Sequence, residues 1–147
     1  MSFRNFIQSL RNYSSELEAT REKDALRVSL DIIAQVKLRI QGAGKDYNEQ
    51  PFTPYTPKYK ETRAKLGYQT ERVDLTRTGR LWANVRPVVI AKSLGIVTIS
   101  VGAISKDNEL KVRGFVKKRP NPMLPSKKEL TRAQTAYFQL RQQRRLQ

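Results

Sequence analysis

The chain has no cysteine and no histidine. Without cysteine there is neither a disulfide framework nor a thiolate nucleophile. Without histidine, the usual general base, the side chain that titrates near neutral pH and the commonest transition-metal ligand are all missing. Zinc enzymes and Ser–His or Cys–His hydrolases are excluded in their ordinary forms. Long apolar runs are also missing. The longest, Val88-Val89-Ile90-Ala91, falls far short of the ~20 residues that a membrane-spanning helix needs. Arg4 and Arg11 interrupt the apolar positions Phe3, Phe6, Ile7 and Leu10, so this stretch does not read as a secretory leader. A soluble intracellular product is expected. Gly42-Ala43-Gly44-Lys45 follows a helical pattern rather than a strand and lacks the spacing of a phosphate-binding loop.

Acidic residues are scarce where basic ones are dense. The net charge is +16, from 29 basic and 13 acidic residues. Residues 1–50 are nearly balanced, with 8 and 7, whereas residues 111–147 hold 11 basic groups and one acid, Glu129. A basic tail of this kind favours polyanions through counterion release and steering. Nucleic acid, an anionic membrane surface or an acidic protein face would each satisfy it.

The 147 residues read as a single α+β domain. Residues 2–12 have the spacing of a short amphipathic helix, with a break at Asn12-Tyr13-Ser14-Ser15 and Ser14 or Ser15 as the next cap. Glu16 to about Gln41 contains no Gly or Pro, and Leu26, Leu30, Ile33 and Ile40, widened by Ile32 and Val36, mark one face of a long helix. Glu16, Glu18, Glu22 and Asp24 fall in its expected first turns, where they suit the helix dipole. Gly42-Ala43-Gly44 ends it. Residues 42–57 form a long loop, and Tyr47, Phe52 and Tyr55 within it either pack on the core or dock into a neighbour. Thr56 and Pro57 open a helix to Leu66, closed by Gly67. Tyr59 and Leu66 are expected to face the core there, with Lys58, Lys60, Arg63 and Lys65 on a solvated face.

The organising stretch is Glu71 to Gly102. Its first part, Val73 to Trp82, is rich in turn chemistry. Leu75 is the apolar anchor, Thr76 and Thr78 can bond local backbone, and Gly79 suits a positive φ. Leu81, Trp82 and Val85 face inward from a short helix. A hairpin over about 86–101 follows, turning at Ser93-Leu94-Gly95, with Pro87 near its beginning and Val97, Ile99 and Val101 on one face. The alternation at 109–113 predicts a third strand. Ser126-Lys127-Lys128-Glu129 is a capping box that starts a basic C-terminal helical tail over about 126–147, with Leu130, Ala133, Tyr137 and Leu140 as its apolar stripe. The expected fold is a long N-terminal helix packed on a small antiparallel sheet, plus this C-terminal helix.

Asp107, Glu109 and Lys111 have the acid-x-Lys pattern of metal-dependent nucleases. A partner carboxylate on the hairpin is missing, since no acid lies between Asp74 and Asp107. A solvated turn is the plainer reading. No catalytic, cofactor-binding or metal-binding residue is assigned.

Three runs carry a resemblance: Phe52-Thr53-Pro54-Tyr55-Thr56-Pro57 with Tyr59, Arg63-Ala64-Lys65 with Gly67, and Val73 to Leu81. Together with Val101-Gly102, Arg119-Pro120 and the helix after Ser126, their order resembles the neck and tail-completion proteins of tailed bacteriophages. These include the virion-morphogenesis family related to the Mu-type tail protein. The resemblance spans about residues 16–140. It departs after the hairpin, where this chain has Lys111 to Gly114 in place of an aromatic-Ala dipeptide and a Gly-Thr. The resemblance implies a structural protein without cofactor, assembled in the host cytoplasm into a cyclic homo-oligomer at the head–tail junction of the virion. Its implied partners are further copies of itself, portal or adaptor proteins, tail-tube proteins and DNA in the channel, with no membrane. Candidate interface residues are Phe52, Tyr55, Thr78, Gly79, Arg80, Arg119, Arg141, Arg144 and Arg145. The composition alone supports a different reading, a basic nucleic-acid-binding module.

Overall fold

The structure is a computed structural model that describes residues 3–93, 96–103, 105–116 and 122–145. It is α+β: α1 (Phe3–Leu38), a π-helical turn (Arg39–Ala43), α2 (Pro57–Lys65), α3 (Arg80–Ala83), strands β1 (Val85–Ser93) and β2 (Ile96–Ala103), α4 (Lys106–Val116) and α5 (Lys127–Arg145). β1 and β2 pair antiparallel, with Val85 opposite Ala103 and Val89 opposite Ile99. The hairpin and α5 both pack on α1. The turn at 94–95 and Arg119 lie outside the described residues, as do the side chains of Phe3, Phe6, Leu10, Tyr13, Ser14 and Arg145.

The expected break at residues 12–15 is absent, and α1 is continuous over 36 residues, about 54 Å. No Gly or Pro interrupts it, and the weak helix formers there cost only a few tenths of a kcal/mol each within a cooperative helix. Polar side chains that could have capped a new helix bond within the old one. Gln8 Nε2 donates to Asn12 Oδ1 at 3.1 Å, and Thr20 Oγ1 to the Glu16 carbonyl at 2.7 Å. Glu16 to Asp24 therefore lie along the helix rather than at its start, and Asp24 is buried. The inward ridge runs Asp24, Val28, Ile32, Val36, Ile40 at i+4 spacing, while Leu30 is exposed. The helix ends at Gly44, whose φ of 63° and close approach to Arg72 and Val73 leave no room for a Cβ.

Two regions differ from expectation. Residues 109–113 belong to α4, not to a third strand. Five alternating residues cannot distinguish the two periods. The Ser105 carbonyl accepts from the N–H groups of Asn108 and Glu109 at 3.0 and 2.9 Å, which starts a helix. In the loop at 42–57, Phe52 is buried in the core with Val36, Ile40, Val73, Leu75, Trp82 and Val85. It is not available to a neighbour. The hairpin matches its expected span closely. Pro87 sits third in β1, a bulge falls between Val89 and Ala91, and Val97 and Ile99 are half-buried while Thr98 and Ser100 are exposed.

α1 and α5 run antiparallel and are clamped at both ends by ion pairs of opposite polarity. At one end, Asp24 on α1 accepts from Arg144 Nη2 at 2.8 Å and faces Arg141 at 3.6 Å. At the other, Arg39 Nε donates to Glu129 on α5 at 2.9 Å, with its Nη groups on the carbonyls of Lys45 and Leu124. Glu129 also completes the expected capping box: the Ser126 N–H donates to its Oε2 at 2.7 Å, and its own N–H to Ser126 Oγ at 3.3 Å. Ala133 is buried on the α5 inner face, whereas Leu130 is exposed. Replacing Glu129 with Ala would remove the cap and strand a buried guanidinium, with an expected loss of about 3–5 kcal/mol. Urea unfolding measures this. A loss no larger than that of Lys128→Ala, an exposed neighbour, would contradict the clamp.

Candidate functional site

α2 was expected to present Arg63 to solvent. Instead Arg63 is buried, with its side chain 3 % exposed. The backbone explains why. After Gly67, itself at φ 71°, the chain doubles back past α2. Its carbonyls at Gln69 and Thr76 then face the helix with no secondary-structure partner. Arg63 supplies the donors: Nε to Gln69 O at 2.8 Å, Nη1 to Thr76 O at 2.8 Å, and Nη2 to both Asp74 carboxylate oxygens at 3.2 Å. Tyr55, Tyr59 and Tyr68 surround the guanidinium, with ring centroids 4.7, 5.9 and 5.5 Å from its carbon. This geometry adds cation–π attraction to the ion pair.

Asp74 is equally saturated. Its Oδ1 accepts from the Thr76 N–H at 2.9 Å, an Asx turn, and from the Tyr55 hydroxyl at 3.0 Å. Its own N–H donates back to Tyr55 Oη at 3.2 Å. This double grip holds Leu75 at φ 51°, a conformation disfavoured for a side chain without local hydrogen bonding. Thr76 Oγ1 donates to the Asp74 carbonyl at 3.1 Å and accepts from Gln41 Nε2 at 2.7 Å, tying the knuckle to α1. Burial is the main cause that raises the Tyr55 phenol above its ordinary 10.0. The Asp74 N–H pulls the other way, the Asp74 carboxylate reinforces the rise, and Arg63 opposes it.

Beside this hub lies a cleft of about 600 Å³. One wall is the Thr53–Thr56 segment with Tyr59. The second is Leu75-Thr76-Arg77, and the third is the α4 face bearing Lys111, Gly114 and Phe115. Of the candidate interface residues, Tyr55 lines it, and Thr78, Gly79 and Arg80 follow directly from its second wall. Thr78 and Arg80 are exposed, and Gly79 takes φ 73° as expected. The structure does not bring Arg141 and Arg144 to this site, because they are engaged with Asp24 at the far helix clamp. Tyr59, expected inward, is more than a third exposed at the cleft, and Leu66 points to solvent. Sequence reasoning missed Arg63 and Asp74. The usable signal was Tyr59 and Arg63 at i,i+4 on a short helix, flanked by two further tyrosines and a lone acid.

The nuclease-like triplet sits on α4 rather than beside a strand, where Glu109 pairs with Arg113 at 2.6 Å and Lys111 donates to Asn108 Oδ1 at 3.1 Å. Among the described residues, no three His, Cys, Asp or Glu side chains converge as a metal site, and no helix is long and apolar enough to cross a membrane.

Two outcomes are expected of the hub. Arg63→Met leaves Asp74 buried without its cation and costs about 3–5 kcal/mol. Arg63→Lys does not rescue it, since an ammonium cannot reproduce the planar fork. Unfolding midpoints would show both. The Tyr55 phenol has a higher pKa folded than unfolded, so its contribution is intact below pH 10 and fades as pH rises through the folded value. Absorbance titration should show one tyrosine ionising after the others, and Tyr55→Phe should remove that late step.

Compared with known proteins, the chain matches no family model, no curated protein and no solved structure.

Proposed function

We propose that this chain is a structural virion protein of a tailed bacteriophage. It is a ring-forming neck or tail-completion subunit, at tail-terminator or head–tail connector level, that joins the tail to the capsid. The observation that carries the assembly part is surface. The chain exposes 10871 Å² at 17.0 kDa, whereas a compact monomer of that mass exposes about 7,700 Å². Much of the exposed surface is suited to contacts. Val88, Ile90 and Ile96 are solvent-exposed apolar residues on the hairpin, and Leu38 and Leu130 are exposed on α1 and α5. Such surface suits heterologous, head-to-tail contacts between copies. The phage part rests on the order of motifs from Phe52 to the helix after Ser126. Its core residues Tyr55, Arg63, Gly67, Asp74, Leu75 and Gly79 all serve one rigid knuckle. Those side chains are consumed in holding backbone, which suits a part that must keep its shape within a ring.

A second reading, a basic nucleic-acid-binding module, is favoured by the charge of +16. Salt separates the two. Copies this cationic repel, so added salt screens them and strengthens ring formation. The same salt weakens duplex binding with a steep negative slope. Mass measurement of the purified protein, alone and mixed with candidate portal and tail proteins, should give a closed multiple of 17.0 kDa that is favoured by salt. A monomer under every condition that binds DNA with a steep salt slope would transfer the assignment to the second reading.

A further inference from the structure

The knuckle cleft is distinctive in its charge. Its lining contains Arg63, Arg77 and Lys111 and no carboxylate. The nearest acid, Asp74, is fully occupied by Arg63, the Tyr55 hydroxyl and the Thr76 N–H. Arg63 is likewise spent on Asp74 and two carbonyls. Arg77 is exposed, and Lys111 is exposed with a single bond to Asn108, so both can meet an incoming anion. The floor between them is apolar, from Leu75, Phe115 and the ring of Tyr59. Three segments far apart in sequence make the walls, and one of them is held at a positive φ by Leu75. Strained backbone braced by surrounding hydrogen bonds is common at binding sites.

We propose that this cleft binds an acidic, extended segment of a partner protein. An apolar side chain of that segment would enter the floor, and flanking carboxylates would meet Arg77 and Lys111. Charge complementarity selects the occupant. A second copy of this chain is a poor candidate, because its net charge of +16 brings like charge to the site. Nucleic acid is a poorer fit, because backbone tracking needs a continuous cationic groove, and this cleft offers two free cations over an apolar floor. A hydrophobic anchor within an anionic strand uses both features. The inference rests on the assembly reading only for where such a partner would be found. It is tested on the isolated chain, so its failure leaves ring formation untouched, and the failure of ring formation leaves it standing.

The experiment is fluorescence anisotropy with a labelled octapeptide of glutamates around a central Leu-Trp pair, at near-physiological salt. Three results are expected together. The double variant R77E/K111E weakens binding at least ~10-fold. The charge-matched control K127E/K128E, on exposed α5 positions away from the cleft, changes it less than ~3-fold. A peptide with Gly-Ser in place of Leu-Trp loses at least ~10-fold against the unaltered protein, a comparison that needs no variant to fold. Absence of binding, equal losses in both double variants, or equal affinity for the Gly-Ser peptide would overturn the proposal. Selective loss of duplex DNA binding in R77E/K111E, with the peptide unaffected, would reassign the cleft to nucleic acid.

Discussion

The local architecture depends on one buried ion pair, Arg63 with Asp74. A guanidinium carries five donors in a fixed plane, and here that plane is matched to two backbone carbonyls and one carboxylate. The segment from Gln69 to Thr76 is irregular, and irregular buried backbone must find partners for its carbonyls or remain exposed. Arg63 provides them from a helix. Taking both charges out of water is expensive, and the pair is not a large net source of stability relative to an apolar substitute. What it supplies is specification: one arrangement of α2, the tyrosine ring set and the strained Leu75, which together form the cleft wall.

A second arginine repeats the device at larger scale. Arg39, at the π-helical end of α1, holds Glu129 and the carbonyls of Lys45 and Leu124. It therefore joins the long helix, the loop after it and the start of α5. Asp24 makes the reverse pairing with Arg141 and Arg144 at the far end. With an acid on α1 at one end and a base on α1 at the other, sliding or reversing α5 would bring like charges together. This sets register where the apolar contact of α5, centred on the small side chain of Ala133, specifies little.

These two clusters leave most of the remaining positive charge on the outside. The acids that could have balanced it are few, and Asp24, Asp74 and Glu129 are buried in the pairs just described. The surface is thus more cationic than composition alone suggests, which bears on either reading of function. Oligomer contacts must be apolar enough to overcome repulsion between copies, and partners other than further copies must be anionic.

How far the sequence reaches is clearest element by element. Local signals sufficed wherever a few consecutive residues carry their own physics. Examples are Thr56-Pro57 starting α2, Gly67 and Gly79 at positive φ, the Ser126–Glu129 capping box, and the alternating Val97, Ile99 of the hairpin. They failed where the outcome depends on distant partners. The break at residues 12–15 vanished into a continuous α1, and five alternating residues at 109–113 became helix. Phe52, Arg63 and Arg144 were each a candidate for the surface, yet burial or pairing claimed them. Of the cleft, Tyr55 and the Thr78-Gly79-Arg80 run beside it were legible, but its other walls were not. The sequence by itself determined the element types, the turns and the cationic balance, because these follow from backbone sterics, periodicity and counting. Only the tertiary structure decided which arginines are buried, because a guanidinium leaves water only when carboxylate and carbonyl partners converge from segments that the chain order keeps apart.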